Sequence, residues 1–327
     1  MTSIQSIDIP QQSRQIKTPT RVRPLIHIGY PKAASTWLQQ VIFKDPNSGF
    51  YAPWGLPSYG AIDNLVESNP FSFTSEKVRQ FFEVGLEESA QKNLIPVLSE
   101  ELFTGNQMLA KYWGKKVADR LHAVFPEARI LIFIREQKAA IFSSYRQYIR
   151  SGHAATIERF LGLDATRQPG IGPICRLDYF QYDLLINYYQ MLFGAENVLV
   201  LPFELLKISS RDVSQKVLEF AGSQGNPDHQ KVARNVGLKG GTLAFRQKIN
   251  NFCTPPEQMN SFHGFVWRFG YKLSTLVEEF LPQKYHDRAE ADFKQTIAEA
   301  VGDSFIQSNQ RTSQLIGINL ENFGYDS

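Results

Sequence analysis

The chain of 327 residues, 43% hydrophobic and 13% aromatic, can bury a large core, and its length lies between one large domain and two small ones. A formal net charge of +3 excludes a polycation of the kind that coats nucleic acid nonspecifically, so any anion must be met by local charge. Two cysteines, Cys175 and Cys253, lie far apart with no Cys or His neighbour at metal spacing, which leaves zinc and a disulfide framework unsupported and fits a reducing compartment.

Residues 1–23 are polar, with no apolar run resembling a signal peptide or a membrane span, and are expected to form a flexible arm before a single domain over 24–327. A strand is predicted over 25–29, followed by a loop with Pro31 and a helix starting near Ser35. Residues 49–69, rich in Pro, Gly, Tyr and Ser, predict an irregular stretch. The spacing of Val78, Phe81, Phe82 and Leu86 predicts a helix over 75–91 with those four on one face. Residues 94–98 are a strand candidate in which Pro96 suggests a start or an edge. The run 129–134, apolar from Ile130 on, predicts a strand buried on both faces, leading into a helix over 137–150. A helix over 178–193, a buried strand over 197–202 and a helix ending at Ala221-Gly222 complete the alternation. Strands alternating with helices imply right-handed crossovers, hence an α/β three-layer fold: a central parallel sheet flanked by helices. From Thr242 onward the periodicity is helical, predicting a helical elaboration over 242–327.

In such sheets ligands bind beyond the carboxyl ends of the strands. The first strand is followed by Lys32, the small residues Ala33 and Ala34, and then Ser35 and Thr36 at a helix start. Small residues admit close approach of an anion, the helix start supplies N–H groups, and a lysine with two hydroxyls completes a phosphate cradle. In the nucleoside-triphosphate P-loop the lysine directly precedes the hydroxyl residue. Here it stands three positions before Ser35, and no Gly-Lys pair occurs in the loop.

The run Gly29-Tyr30-Pro31-Lys32-Ala33-Ala34-Ser35-Thr36-Trp37 resembles the 5′-phosphosulfate loop of sulfotransferases that use 3′-phosphoadenosine 5′-phosphosulfate (PAPS), commonly Tyr-Pro-Lys-Ser/Thr-Gly-Thr-Thr-Trp/Leu. It departs from that pattern at Ala33, where a hydroxyl residue is usual, and at Ala34, where glycine is usual. The resemblance implies a bacterial-type enzyme of P-loop NTPase-like fold, with PAPS as donor, adenosine 3′,5′-bisphosphate (PAP) as product and no metal. Arg135, at the end of the 129–134 strand, and Ser143, eight residues on, resemble the family's 3′-phosphate pair, with the adjacent Ser144 ranked second. Ser99-Glu100-Glu101 resembles a Ser-x-Glu pattern that places the proton-accepting base at Glu101, with Glu100 as the alternative; both could equally be helix N-terminal charges.

Trp37 occupies the position of an adenine-stacking aromatic or, equally, a core tryptophan. Phe203 resembles the aromatic of the family's Tyr-Glu-Asp segment, and Lys239-Gly240-Gly241 is either a basic loop that closes over the 3′-phosphate or a plain surface turn. His27, within the first strand, is expected to be a core histidine. The implied partner is a hydroxylated acceptor, a saccharide, lipid-linked molecule or small metabolite, for which aromatic segments 49–59, 179–193 and 262–271 could line a cleft. Nucleic acid is not expected as a partner, no membrane span is expected, and the reading is cytoplasmic. The alternatives are a P-loop nucleotide kinase or NTPase and an inactive nucleotide-binding relative.

Overall fold

The computed structural model describes residues 23–164, 172–228, 237–251, 273–274 and 276–327. Nearly all of the expected N-terminal arm, Cys253 and the aromatic segment 262–271 lie outside the described residues. Five strands form one parallel sheet: β1 (Leu25–His27), β2 (Phe50–Tyr51), β3 (Ile95–Ser99), β4 (Arg129–Ile134) and β5 (Val198–Pro202), in the order β2-β3-β1-β4-β5. Register sets His27 beside Ser99 on one side and beside Leu131 on the other. The ladder continues past β1, with the Ile28 and Tyr30 amides donating to the Leu131 and Phe133 carbonyls at 3.1 and 3.2 Å. β1 thus extends its backbone along β4 as far as Tyr30, which fixes where the following loop begins.

β4 behaves as a strand covered on both faces should: Ile130 through Ile134 are fully buried. Burying each such side chain stabilises the fold by roughly 1.5–3 kcal/mol. Pro96 sits at the second residue of β3, beside the short β2, whereas pairing with β1 starts only at Val97. Its missing N–H therefore interrupts nothing in the sheet centre.

Helices cover the sheet: α1 (Ser35–Trp37), α2 (Gly60–Ile62), α3 (Ser75–Lys92), α4 (Gly114–Val124), α5 (Gln137–Arg150), α6 (Ile157–Leu161), α7 (Tyr182–Phe193), α8 (Leu205–Ile208) and α9 (Ser210–Ala221). Later in the chain lie α10 (Gly240–Asn250), α11 (Gln283–Val301) and α12 (Ile306–Ile316), with further helical residues at 273–274 and 276–280, and no strand occurs among the described residues after Gly241. The start and stop signals of α5 and α9 are obeyed. Gly222 caps α9 at φ 75°, Glu136 accepts the Lys138 and Ala139 amides at the start of α5, and Ser209 caps α9 through the Asp212 amide.

Four expectations need correction. The stretch 49–69 contains β2 and α2, and α1 passes after one turn into a π-helical segment, Leu38–Phe43. Phe81, expected on the buried face of α3, is 48% exposed, while Val78, Phe82 and Leu86 are buried. The helix expected over 178–193 begins as a 3-10 turn, Leu177–Phe180, before α7. No described helix is long and apolar enough to cross a membrane.

Candidate active site

At the carboxyl ends of β1, β3, β4 and β5 a cavity of about 420 Å³ is lined by Lys32, Ala34, Ser35, Thr36 and Trp37 from the first loop and Glu101 from beyond β3. Arg135, Ser143, Arg146, Gln147 and Arg150 come from β4 and α5, Phe203 and Lys207 from beyond β5, and Gly237 and Leu238 from the segment before α10. β1 is flanked by β3 on one side and β4 on the other, so the chain first builds the sheet on one side of β1 and then crosses to the opposite side, which makes this the point where parallel sheets open a crevice.

The loop achieves its shape at a conformational cost. Lys32 (φ 70°) and Ala34 (φ 74°) are both left-handed, and the Ala33 amide donates to the Tyr30 carbonyl at 3.1 Å to close the turn. Glycine suits such positions, and a side chain there costs roughly 1–2 kcal/mol. Ala34 is the residue that stands where the resembled pattern has glycine, so the cradle persists with a strained alanine at its turn. Tyr30 and Pro31 are buried beneath it, Tyr30 packing edge-on against Tyr179 and Tyr182 at 5.2 and 4.6 Å. Ala33 is likewise fully buried. These three shape the loop and do not line the cavity.

Several donors in the cavity wall are satisfied by nothing in the described protein: Ser35 Oγ, Arg135 Nε and Arg146 Nε are buried without a hydrogen-bond partner. A buried donor left unpaired costs about 1–3 kcal/mol, so three around one cavity mark a place built for acceptor oxygens. The remaining contacts hold these groups in position. Arg135 donates through Nη1 to the Lys32 carbonyl at 3.1 Å and lies over the Phe203 ring at 5.0 Å. Its own carbonyl accepts from the Tyr182 hydroxyl at 2.6 Å. Burial holds the Lys32 ammonium below the usual lysine range; Glu101 pulls the other way, and the Arg135 and Arg150 charges add to the depression.

The structure separates the two glutamates. Glu101 lines the cavity, whereas Glu100 is only 1% exposed and caps the 3-10 turn Glu101–Thr104 by accepting the Leu102 amide at 3.1 Å. Burial pushes the Glu100 carboxyl up to about 7, partly opposed by that amide, and its Oε2 has no partner among the described residues. Glu100 therefore does not line the cavity. Ser143 lines the cavity, while Ser144, one position on, is fully buried and bonded to the Ala140 carbonyl and Gln107.

The expected basic loop at Lys239-Gly240-Gly241 is not brought to the cavity. Lys239 is exposed and precedes α10, and Gly240 and Gly241 are buried against α11. A Cβ on Gly240 would lie 2.4 Å from the His286 carbonyl oxygen, so glycine here serves helix packing. Gly237 and Leu238 reach the cavity instead. His27 is a core residue as expected: fully buried, Nδ1 2.9 Å from Ser99 Oγ, and lowered by burial to about 3, so its imidazole stays neutral. Arg146, Gln147, Arg150 and Lys207 were not anticipated. For the first three the signal was present in the spacing, since positions three, four and seven beyond Ser143 share its face of α5; Lys207, in α8, carried no such signal. Among the described residues no three His, Cys, Asp or Glu side chains form a group that could hold a metal ion.

No protein-family model matches the chain, and no curated protein matches it. Among solved structures, a sulfotransferase from Alicyclobacillus acidocaldarius is 19% identical with a TM-score of 0.47, over 69% of this chain and 93% of that one. The sulfotransferase domain of the Synechococcus PCC 7002 olefin synthase is 15% identical with a TM-score of 0.38, over 82% of this chain and 100% of that one. The sulfotransferase domain from the curacin biosynthetic pathway is 14% identical with a TM-score of 0.36, over 64% of this chain and 77% of that one.

Proposed function

We propose that this chain is a sulfotransferase that moves a sulfuryl group from PAPS to a hydroxyl or amine of an acceptor, a saccharide, a lipid or a small metabolite. The observation that carries the reading is the set of partnerless buried donors, Ser35 Oγ, Arg135 Nε and Arg146 Nε, around one cavity with Lys32 and a single carboxylate, Glu101. Two anion-binding ends fit a nucleotide charged at both ends. The Lys32 loop with Ser35 and Thr36 takes the 5′-phosphosulfate, and Arg135, Ser143 and Arg146 take the 3′-phosphate. Trp37 and Phe203 provide faces for the adenine between them.

In the transfer, the acceptor oxygen attacks sulfur as the bond from sulfur to the bridging phosphate oxygen breaks. The electron pair leaves on that oxygen, where Lys32 and the loop amides stabilise the developing charge. The acceptor proton passes to Glu101, which faces the cavity as a base must. The proposed setting is cytoplasmic.

A calorimetric titration with PAP, set against one with ATP and magnesium, tests the donor, and transfer from ³⁵S-labelled PAPS to acceptor pools tests the activity. Binding of PAP with transfer supports the reading. Preference for ATP with magnesium replaces it by a nucleotide kinase or NTPase, and PAP binding without transfer to any pool replaces it by an inactive relative.

A further inference from the structure

Glu101 leaves the sheet on a short 3-10 turn, Glu101–Thr104, and such turns close with poor hydrogen-bond geometry, so outside contacts decide how firmly this one is held. Glu100 accepts the Leu102 amide at 3.1 Å, Trp113 donates through Nε1 to the Leu102 carbonyl at 2.6 Å, and the Thr104 hydroxyl donates to the Glu101 carbonyl at 3.2 Å. The first two contacts meet the turn at Leu102; the third meets Glu101 itself.

The Thr104 hydroxyl has one proton, and its bond to Glu101 uses it. Its oxygen therefore accepts from the Tyr179 hydroxyl, 2.8 Å away. Burial pushes the Tyr179 phenol well above its usual range, so the proton stays on Tyr179 and is there to be donated. A directed chain thus runs from the Tyr179 hydroxyl through Thr104 to the backbone of the residue that carries the proposed base.

Tyr179 also reaches the donor loop. Its ring packs edge-on against Tyr30 at 5.2 Å. The backbone of Tyr30 is held on both sides, its amide donating to the Phe133 carbonyl at 3.2 Å and its carbonyl accepting the Ala33 amide at 3.1 Å, and Lys32 stands two residues on. Gly105 follows the 3-10 turn at φ 125°, and a Cβ there would lie 2.6 Å from the Lys111 carbonyl oxygen and 3.2 Å from the Tyr179 ring, so glycine lets the ring close on the turn. One side chain therefore spans the loop after β1 and the turn after β3, the two segments that carry Lys32 and Glu101.

Resting on the function proposed above, we propose that Tyr179 is a positioning residue that, through Thr104, holds Glu101 in register with the Lys32 loop, so that base and leaving-group stabiliser serve the same in-line transfer. Tyr179 does not line the cavity, so removing its hydroxyl leaves the anion-binding donors in place. A catalytic group displaced by about 1 Å can lose up to about 10²-fold in rate.

The test uses the full chain, ³⁵S-labelled PAPS and the acceptor pool that wild type labels. Tyr179→Phe keeps the ring and removes only the hydroxyl. It should lower turnover at saturating PAPS at least about fivefold, while the KM for PAPS and the calorimetric affinity for PAP stay within about twofold, a split that general loosening of the fold would not produce. Thr104→Val should show the same loss, and Thr104→Ser should keep at least about half of the wild-type rate. The double variant Tyr179→Phe with Thr104→Val should fall no more than about twofold below the worse single one, because both cut the same chain. A smaller loss in Tyr179→Phe, losses that multiply in the double variant, Thr104→Ser as impaired as Thr104→Val, or a parallel loss of PAP affinity each overturns the proposal. Wild type that labels no pool is a separate result that overturns the proposed function, and this inference with it.

Discussion

Glu100→Gln is the substitution for which the structure gives a magnitude. The Glu100 carboxyl is 1% exposed; one oxygen accepts the Leu102 amide at 3.1 Å and the other has no partner among the described residues. An unfolded chain releases this proton near 4.5, whereas burial makes the folded protein keep it up to about pH 7. Between those values the folded state binds more protons than the unfolded state, so stability falls as pH rises. The gap corresponds to about 3 kcal/mol, most of it lost between pH 5 and 8. Glutamine preserves the oxygen that accepts the Leu102 amide and cannot ionise. Its NH₂ is an orphan donor of constant cost, which cancels when each protein is compared with itself at two pH values. Guanidinium denaturation of wild type and variant at pH 5 and pH 8 reads the difference of differences. Wild type should lose roughly 2–3 kcal/mol relative to Glu100→Gln over that range. His27 has the opposite dependence: its folded value of about 3 lies below the unfolded 6.5, so the stability it contributes is lost as pH falls. That term is common to both proteins and drops out. A difference between the two proteins that does not change with pH would refute the argument that Glu100 is buried as a neutral acid.

Lys32→Ala should lower turnover with labelled PAPS by about 10²- to 10³-fold while weakening PAP by much less, because the ammonium acts on charge that develops only in transfer; equal losses in kcat and PAP affinity would count against that role. Arg135→Ala should weaken PAP by about 1.5–3 kcal/mol in a calorimetric titration, and unchanged affinity would remove it from the nucleotide site. Ala34→Gly relieves a left-handed alanine and should raise thermal stability by roughly 0.5–1 kcal/mol once the greater freedom of glycine in the unfolded chain is subtracted. A lower melting temperature in that variant would show that the loop does not hold Ala34 at positive φ.

The sheet was largely legible because β4 after Arg129 and all of β5 are apolar, which burial on both faces explains, and because Gly222 marks the end of α9. β2 was missed because a two-residue edge strand leaves no alternation to detect. Phe81 was misplaced because residues 81 and 82 are adjacent on a helix, 100° apart, and only Phe82 faces Trp54 and Phe125. Within the site, Lys32, Arg135 and Ser143 could be found because each stands at a fixed offset from a strand end. Arg146, Gln147 and Arg150 belong to the same face of α5 as Ser143, yet helix spacing alone does not say whether that face meets solvent, another helix or a cavity. The glycines at 240 and 241 illustrate the converse: Lys-Gly-Gly suggests mobility, but these glycines let α10 lie against the backbone of α11. Which of Glu100 and Glu101 lines the cavity also needed the third dimension, since adjacent residues leaving a strand point in different directions.

What orients the arginine end of the site comes from much later in the chain. Glu204, beyond β5, accepts the Glu136 amide through Oε1 at 3.2 Å and the Tyr325 hydroxyl through Oε2 at 3.2 Å. Lys138 meets Asp326 at 2.6 Å, Gln137 donates to Asn309 at 2.5 Å, and Asn309 donates in turn to the Asp326 carbonyl at 2.8 Å. Residues 136–138, the first turn of α5 and its cap, are thus tied to the segment just beyond β5, to α12 and to the segment after α12. With Tyr182 holding its carbonyl, Arg135 has little freedom except in the guanidinium that faces the cavity. An arginine at a strand tip would otherwise sample many rotamers and lose that freedom on binding an anion, at a cost of up to about 2 kcal/mol. Anchoring its backbone from behind and stacking its plane on Phe203 moves that ordering into the folding of the protein. Donors held ready before the anion arrives fix the nucleotide at its 3′-phosphate end and so position the group transferred at the other. The helical segment after Gly241 therefore acts at the site without lining it, through the strand tips it holds.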